Sequence, residues 1–425
     1  MYCRQKRGME VKVESNRKVA VIGGGASGMA AALAAKKYGA QVTLFEKNDR
    51  VGKKILATGN GKCNLGNLAL SQEQYYCKDK EKLRKLFQVF SAEDTISFFE
   101  SMGLMVRSKN GYLYPYSEQA SGVLDVLRMG LAQKQIQVAA GREITGASYQ
   151  QARGSFEVRG PWGEEGNFQK LIIACGSPAS LKRGEGMGGY YLAREFGHQV
   201  TDLLPGLVQL KSDDGFIKAL SGVRCQGSIR LTAAGRGLAS EQGELQFTDY
   251  GISGIPVFQL SRIAAHCIKE KKEVMVIVDF FPDQDKDSFL EKNRIRFEAK
   301  KEQSLEEYLT GTLNKKINMV VIKKAGFRPG MKVKEAGWEG VRHLLELCRT
   351  FPIHISAANP MEKAQICAGG VDFGQVDERL ESKLVKGLYF VGEVLDVDGK
   401  CGGYNLQWAW TSGFIAGRAA AESVV

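Results

Sequence analysis

An α/β fold on a parallel sheet, with its two halves at opposite ends of the chain, is what this sequence of 425 residues predicts. Three observations lead there. Lys18 to Gly24 is a short β-branched run without polar alternation, as a strand buried on both faces of a parallel sheet requires. A glycine-rich turn, an alanine-rich helix and a second strand follow at once, completing a βαβ unit. Near the other terminus, the apolar strand Leu388 to Val391 runs into another glycine-rich turn and a final helix.

Taken in order, residues 1 to 17 read as a loose basic tail without an apolar signal core, and Met9 is an alternative start. The first helix, Ala26 to Tyr38, stops at Gly39, and the second strand is Gln41 to Glu46. Helices follow at Lys80 to Phe90, at Ala92 to Met102 behind a Ser91 to Asp94 capping pattern, and at about Ser117 to Lys134. From Ile136 to Ala174 three short strands separated by glycine turns read as a β-meander. Residues 198 to 281 are rich in strands, 282 to 349 are charged and helical in pattern, and 350 to 425 return to the first domain with a helix from about Asn405 to Ser423. The expected division is therefore 18–197 and 350–425 as one domain, with a two-part module at 198–281 and 282–349 between its halves.

A hydrophobic content of 44% excludes disorder, and the net charge of +12 favours anionic ligands without choosing among them. The nine cysteines include no CxxC pair, and the four histidines form no metal-ligand spacing, so no metal is expected. The thiols read as reduced in a cytoplasmic protein, and no stretch reaches the length of a membrane span. Oligomeric state is not legible.

The chemistry concentrates in three motifs. GGGASG sets Gly23, Gly25 and Gly28 in GxGxxG spacing between strand and helix: the first permits a tight turn, the second a close approach of a pyrophosphate, the third helix–sheet packing. Glu46 closes the second strand where a carboxylate accepts hydrogen bonds from an adenosine ribose. At the C-terminus, Gly392 and Glu393 end a strand, and Gly402 to Leu406, including Gly403, open a helix whose dipole could face the N1 and C2 carbonyl of a flavin. Two such sites at opposite chain ends suit an extended, non-covalently held FAD. Between them VGKKILATGNGKCNLGN offers Thr58, Gly59, Asn60, Gly61 and Asn64 as flavin surround, and Lys53 or Lys54 as a screen for phosphate charge; Lys47 is a further cofactor-side candidate. Cys63 and Cys401 lie within these motifs and read as packing residues. A second GxGxxG at Gly184, Gly186 and Gly189 lies nine residues beyond its strand and reads as a loop and helix start. The basic stretch Lys315 to Lys334 reads as a solvated helical face.

These residues, together with NGYLYPYSEQASGVLDVL, LQFTDYGISGIP and GLYFVGEVLDVDGKCGGYNLQWAWTSGFIAG, resemble the BaiN/YhiN-like family of FAD-dependent oxidoreductases, also labelled aminoacetone oxidase-like, over nearly the whole chain after Lys18. The resemblance implies a glutathione-reductase-like FAD-binding Rossmann domain interrupted by a β-barrel at 198–281 and a small helical domain. It implies FAD contacts at Ala26 and Ser27, at Glu46, near Ile144, at Glu393, and at Asn405 with Leu406. It also implies reduction of a carbon–carbon double bond in an oxo-bile-acid-like substrate. Cys175, Ser177 and Asp249 depart from the family pattern on the substrate side.

The expected reaction is hydride transfer from NADH or NADPH through FAD to an activated double bond of a small organic molecule. Tyr114, Tyr250 and Tyr404 are candidate proton donors by residue type. An amine or amino-acid oxidase using O₂ is the alternative enzyme. A flavin-dependent RNA-binding protein is the alternative of another class, although no aromatic and basic platform for bases stands out and no nucleic acid is expected as partner.

Overall fold

The structure is a computed structural model that describes residues 17 to 422. The tail expected at 1–17, except Arg17, and the alternative start at Met9 lie outside the described residues. The chain forms two compact units, one comprising the residues up to Leu203 together with those from Cys367 onward, the other Leu204 to Ile366.

The first unit is organised by a five-stranded sheet in the order Leu388–Phe390, Lys170–Ile173, Lys18–Ile22, Gln41–Glu46, Gln137–Ala140. All of its pairings are parallel, with Ile22 opposite both Phe45 and Ile173, and Ile173 opposite Phe390. This register aligns the carboxyl ends of the central strands along one edge. The chain leaves the first strand to one side toward Gln41–Glu46 and later returns on its other side, so Lys18–Ile22 borders the switch point where such sheets bind ligands. Val19, Ala20 and Val21 are fully buried, as the unalternating apolar run requires.

The helix Ala26–Lys37 lies beside the last helix, Tyr404–Ala421. Two glycines make the approach possible. A Cβ on Gly413 would sit 2.3 Å from the Ser27 carbonyl oxygen, and one on Gly417 would sit 2.2 Å from that of Ala31. Both contacts advance along the two helices in the same sense, so the helices run parallel. Gly413, nine residues after Tyr404, meets Ser27, one residue after Ala26, which carries the start of the last helix about 12 Å beyond the start of the first.

The β-meander is confined to Gly146–Gln150, Ser155–Gly160 and Gly163–Phe168, all antiparallel. The flanking runs expected within it belong to the parallel sheet: Gln137–Ala140 forms its edge against Thr43 to Glu46, and Lys170–Ile173 is a central strand. Gly184 and Gly186 lie in a loop before the helix Gly188–Glu195, and a Cβ on Gly189 would press on Cys175 at 2.8 Å. The second GxGxxG is thus a packed helix start in the first unit.

In the second unit a seven-stranded sheet runs Phe351–Ile355, Val274–Asp279, Arg224–Ala233, Arg236–Phe247, Gly251–Ser253, Leu210–Lys211, Ala357–Ala358. The strands at its two ends are separated in sequence only by Ser356, so the sheet curls until both edges lie on one stretch of chain. Ala234 and Gly235, both at positive φ, form the two-residue turn of its long hairpin. The helices Lys286–Ala299, Lys315–Lys324 and Val333–Arg349 place Phe289, Val321 and Leu344 in one core with Val276 and Val278 of the sheet. The expected 198–281 and 282–349 modules therefore share a single core. The return to the first unit comes at Cys367, later than residue 350, because Phe351–Ile355 pairs with Val274–Asp279.

Candidate cofactor and active site

The fingerprint turn assigns each glycine a distinct steric situation. Gly23, at φ +105°, would place a Cβ 2.4 Å from the Ala174 carbonyl oxygen, and Gly28 would place one 1.8 Å from that of Gly23. A Cβ on Gly25 would meet nothing within 4 Å. Two of the glycines are thus packed against backbone, and the middle one faces open space where a pyrophosphate would lie. The helix behind it has no side-chain cap and no acid in its first turn, so the amides of Ala26, Ser27 and Gly28 are left to an external anion.

Glu46 is nearly buried at the end of its strand. Its carboxylate accepts from the Gly24 amide at 2.8 Å through one oxygen and from the Asn48 amide at 2.8 Å through the other. These bonds orient it, and a carboxylate retains lone pairs for ribose hydroxyls. Asn48 also donates through its side chain at 2.5 Å, a contribution the sequence reading missed because an Asn after an acidic strand end resembles an ordinary turn residue. The amide of Arg142 donates to the Glu46 carbonyl, which brings the segment carrying Ile144 toward the same strand end. Lys47 is exposed beside it.

Gly392, at φ +71°, would press a Cβ to within 2.4 Å of Ser27 Oγ. Its amide donates to Ser412 Oγ at 2.9 Å, and its carbonyl accepts from Trp408 Nε1 at 3.1 Å. Trp408 and Ser412, spaced i, i+4 on the last helix, thereby pin the strand end to the fingerprint. Sequence reasoning singled out neither. Glu393 accepts from Lys54 Nζ at 2.9 Å and from the Cys367 amide at 3.1 Å. Lys53 pairs with Asp49 at 2.5 Å, so both lysines considered as phosphate screens contact carboxylates.

The last helix begins at Gly403, φ +90°, again with no side-chain cap and no acid in the first turn. The Asn405 side chain clasps the preceding loop, accepting from the Gly399 amide at 2.8 Å and donating to its carbonyl at 2.7 Å. Its backbone amide and that of half-buried Leu406 remain at the positive end of the helix. Asn64 ties the glycine-rich loop to this turn, donating to the carbonyls of Gly66 and Leu113 and accepting from the Gly403 amide at 3.2 Å. Thr58 Oγ1 donates to the Ile55 carbonyl at 2.6 Å. Gly59, Asn60 and Gly61 continue as an exposed run at positive φ. Cys63 is fully buried and burial pushes its thiol up to about 11, so it stays protonated near neutrality.

Tyr404 is nearly buried at the start of the last helix, and a Cβ on Gly402 would meet both its ring, at 3.3 Å, and that of Tyr112, at 3.0 Å. Desolvation raises the phenols of Tyr404 and Tyr114, which keeps both as acids at neutral pH. Tyr250 belongs to the second unit, where its hydroxyl accepts from Asn359 Nδ2 at 3.3 Å. Among the described residues no group of histidines, cysteines and acids is arranged to hold a metal ion.

Residues drawn from both chain ends of the first unit thus surround one open-faced turn, and two uncapped helix starts lie at two depths along it. FAD fits these features: anionic in the middle, hydroxyl-rich on either side, and accumulating negative charge at its flavin end on reduction.

Comparison with known proteins agrees. The model of the HI0933-like protein Rossmann domain matches residues 17–419. A 3-dehydro-bile acid Δ(4,6)-reductase of Clostridium scindens is 40% identical over 411 residues, covering 95% of this chain and 99% of the relative. A ribosomal RNA dihydrouridine synthase of Escherichia coli is 27% identical over 394 residues, covering 92% and 95%. Among solved structures, a 3-ketosteroid-Δ4-(5α)-dehydrogenase from Rhodococcus jostii RHA1 shares the fold at 13% identity, with a TM-score of 0.51 over 98% of this chain and 99% of that one. The chain belongs to the HI0933-like Rossmann family and is an FAD-dependent oxidoreductase.

Proposed function

We propose that the protein reduces a carbon–carbon double bond conjugated to a carbonyl in a small organic molecule of the oxo-steroid or oxo-bile-acid class, with NADH or NADPH as the source of electrons. The observation that supports FAD as the carrier of the hydride is the pair of parallel helices packed at Gly413 and Gly417, which offsets two uncapped helix starts by about 12 Å along their axes. FAD, when bound, supplies the hydride. The turn at Gly25 to Gly28 would hold its pyrophosphate, Glu46 its adenosine ribose and Glu393 its ribityl hydroxyls. The amides of Asn405 and Leu406 would stabilise negative charge at its pyrimidine edge. Saturating an enone also requires a proton at the α-carbon. Tyr404 and Tyr114, both in the first unit and protonated at neutral pH like any tyrosine, are the candidates for that role. The relative from Clostridium scindens supports the substrate class, since its name describes a conjugated oxo-steroid system. We place the protein in the cytoplasm, as the free state of its described cysteines supports.

Anaerobic rapid mixing with NADH and NADPH, followed by turnover with Δ4-3-oxo-steroids, tests this reading. Flavin bleaching by one nucleotide and its reversal by the enone are expected. Failure of either step with every enone tried rejects the proposal.

A second reading is favoured by the dihydrouridine synthases of Escherichia coli and Haemophilus influenzae, each 27% identical, together with the net charge of +12. Dihydrouridine is uridine with its ring double bond, conjugated to a carbonyl, saturated, so the bond chemistry is alike and the substrate would be RNA. Mass-spectrometric detection of dihydrouridine in ribosomal RNA incubated with the reduced enzyme decides between the two.

A further inference from the structure

A groove of about 610 Å³ opens on the second unit, outside the cofactor site and within the size range of small-molecule pockets. Its floor is Phe216, Ala219, Met319 and Val320. Lys315, Lys316, Lys323 and Lys324 rim it, and no acid lines it. On the helix Lys315–Lys324, positions 316, 319, 320 and 323 form one i, i+3, i+4, i+7 stripe. That stripe reads lysine, methionine, valine, lysine. The two stripe lysines are about 10 Å apart along the helix axis, with the apolar pair between them.

The charge is only partly neutralised internally. Lys315 pairs with Glu306 at 3.2 Å and Lys316 donates to the Ser221 carbonyl at 2.8 Å, but Lys323 and Lys324 have no carboxylate partner among the described residues. Two lysines also occupy the first turn of the helix, where the dipole disfavours cations, and no acid offsets them there. An apolar floor selects for a hydrocarbon body and the rim for an anionic group. Nucleic acid fits less well. The one aromatic ring of the floor, Phe216, has Lys324 over its face at 4.7 Å and Phe351 at 5.1 Å, so it offers no free face for stacking a base.

We propose that this groove binds an elongated amphipathic organic anion, an apolar body of roughly steroid size carrying a carboxylate or sulfonate. The proposal is independent of the reaction assigned above, since it concerns binding alone. Equilibrium dialysis of the FAD-loaded full chain with cholate tests it, alongside inorganic phosphate and a short single-stranded oligoribonucleotide. Lys323 and Ala219 are both exposed, so Lys323→Glu and Ala219→Trp leave the core intact. The first reverses one charge of the rim; the second fills the groove and keeps every lysine. Each is expected to weaken cholate binding about tenfold or more without lowering FAD content. Absence of cholate binding, or cholate binding unchanged in both variants, overturns the proposal. It is equally overturned if only the oligoribonucleotide binds, with Ala219→Trp leaving that binding intact, since the lysines would then act as a general polyanion surface.

Discussion

The two helix starts of the cofactor cradle and three of those in the inserted unit are built on opposite rules. In the inserted unit the helices at Lys286, Leu305 and Lys315 are capped by the side chains of Asp285, Ser304 and Asn314. In the cradle the helices at Ala26 and Tyr404 begin at Gly25 and Gly403 without a cap or a first-turn acid. A side-chain cap satisfies amides that water or a ligand would otherwise meet. Withholding it leaves those donors for an anion, at a cost in stability that bound cofactor offsets. Other uncapped starts occur, at Gln119, at Met187 and, in the inserted unit, at Gly254, where a Cβ would lie 2.3 Å from the Glu244 carbonyl oxygen, so neither the missing cap nor a crowded glycine is the mark by itself. What distinguishes the cradle is that two such starts belong to one pair of helices packed against each other at Gly413 and Gly417.

That contrast can be broken most severely at Gly28. A Cβ there would fall 1.8 Å from the Gly23 carbonyl oxygen, so Gly28→Val should cost about 3 kcal/mol or more and yield little folded, flavin-loaded protein. Gly25→Ala is the control, because its Cβ meets nothing: melting temperature without FAD should be unchanged while FAD affinity falls. Equal loss of folding in both would refute the division of roles within the turn. Gly413→Leu should separate the two helices, lowering stability by about 2 to 3 kcal/mol in urea titration and releasing flavin with it.

A subtler change is Glu46→Gln, which keeps shape and removes charge. FAD affinity should drop roughly tenfold or more, as the loss of charge-assisted bonds to a ribose implies, with a much smaller change in urea midpoint. Unchanged affinity would mean that Glu46 orders the turn through Gly24 and Asn48 and has no role toward ligand.

Buried His198 should make the first unit sensitive to pH. Its Nε2 contacts Ser382 Oγ at 2.8 Å and its ring packs on Phe390, and burial lowers its pKa below the usual 6.5. The unfolded chain therefore takes up the proton first as pH falls. This stabilising contribution is complete above about pH 6.5 and is lost as pH drops toward and through the folded value. Urea midpoints at pH 7.5 and 5.0 should differ in the wild type, and His198→Phe should narrow the difference. The smallest effect belongs to the inserted unit: Asp285→Ala removes a cap and should cost about 1 kcal/mol with FAD content unchanged.

Much of the cradle was legible because each of its devices has a local residue signature. Gly23, Gly25, Gly28 and Glu46 follow from a strand, a turn and a helix in immediate succession, and no distant contact is needed to read them. Gly392 and Gly403 are legible for the same reason. The domain limits were less so. Phe351 to Ile355 reads as a strand from sequence alone, but which sheet it joins depends on its pairing with Val274 to Asp279, some seventy residues earlier. Likewise, Gln137 to Ala140 and Lys170 to Ile173 look like meander strands until their parallel partners are known.

The sequence by itself determined the chemistry of the turn and the acid that flanks it, because φ preference, hydrogen-bonding capacity and helix dipole belong to residues and their immediate neighbours. Only the tertiary structure decided that Lys54 meets Glu393, that Trp408 and Ser412 hold Gly392, and that Gly413 and Gly417 let two helices from opposite ends of the chain run side by side. Those contacts join residues separated by as many as 386 positions, as between Ala31 and Gly417. Their geometry is set by close packing in a shared core, which no local pattern encodes.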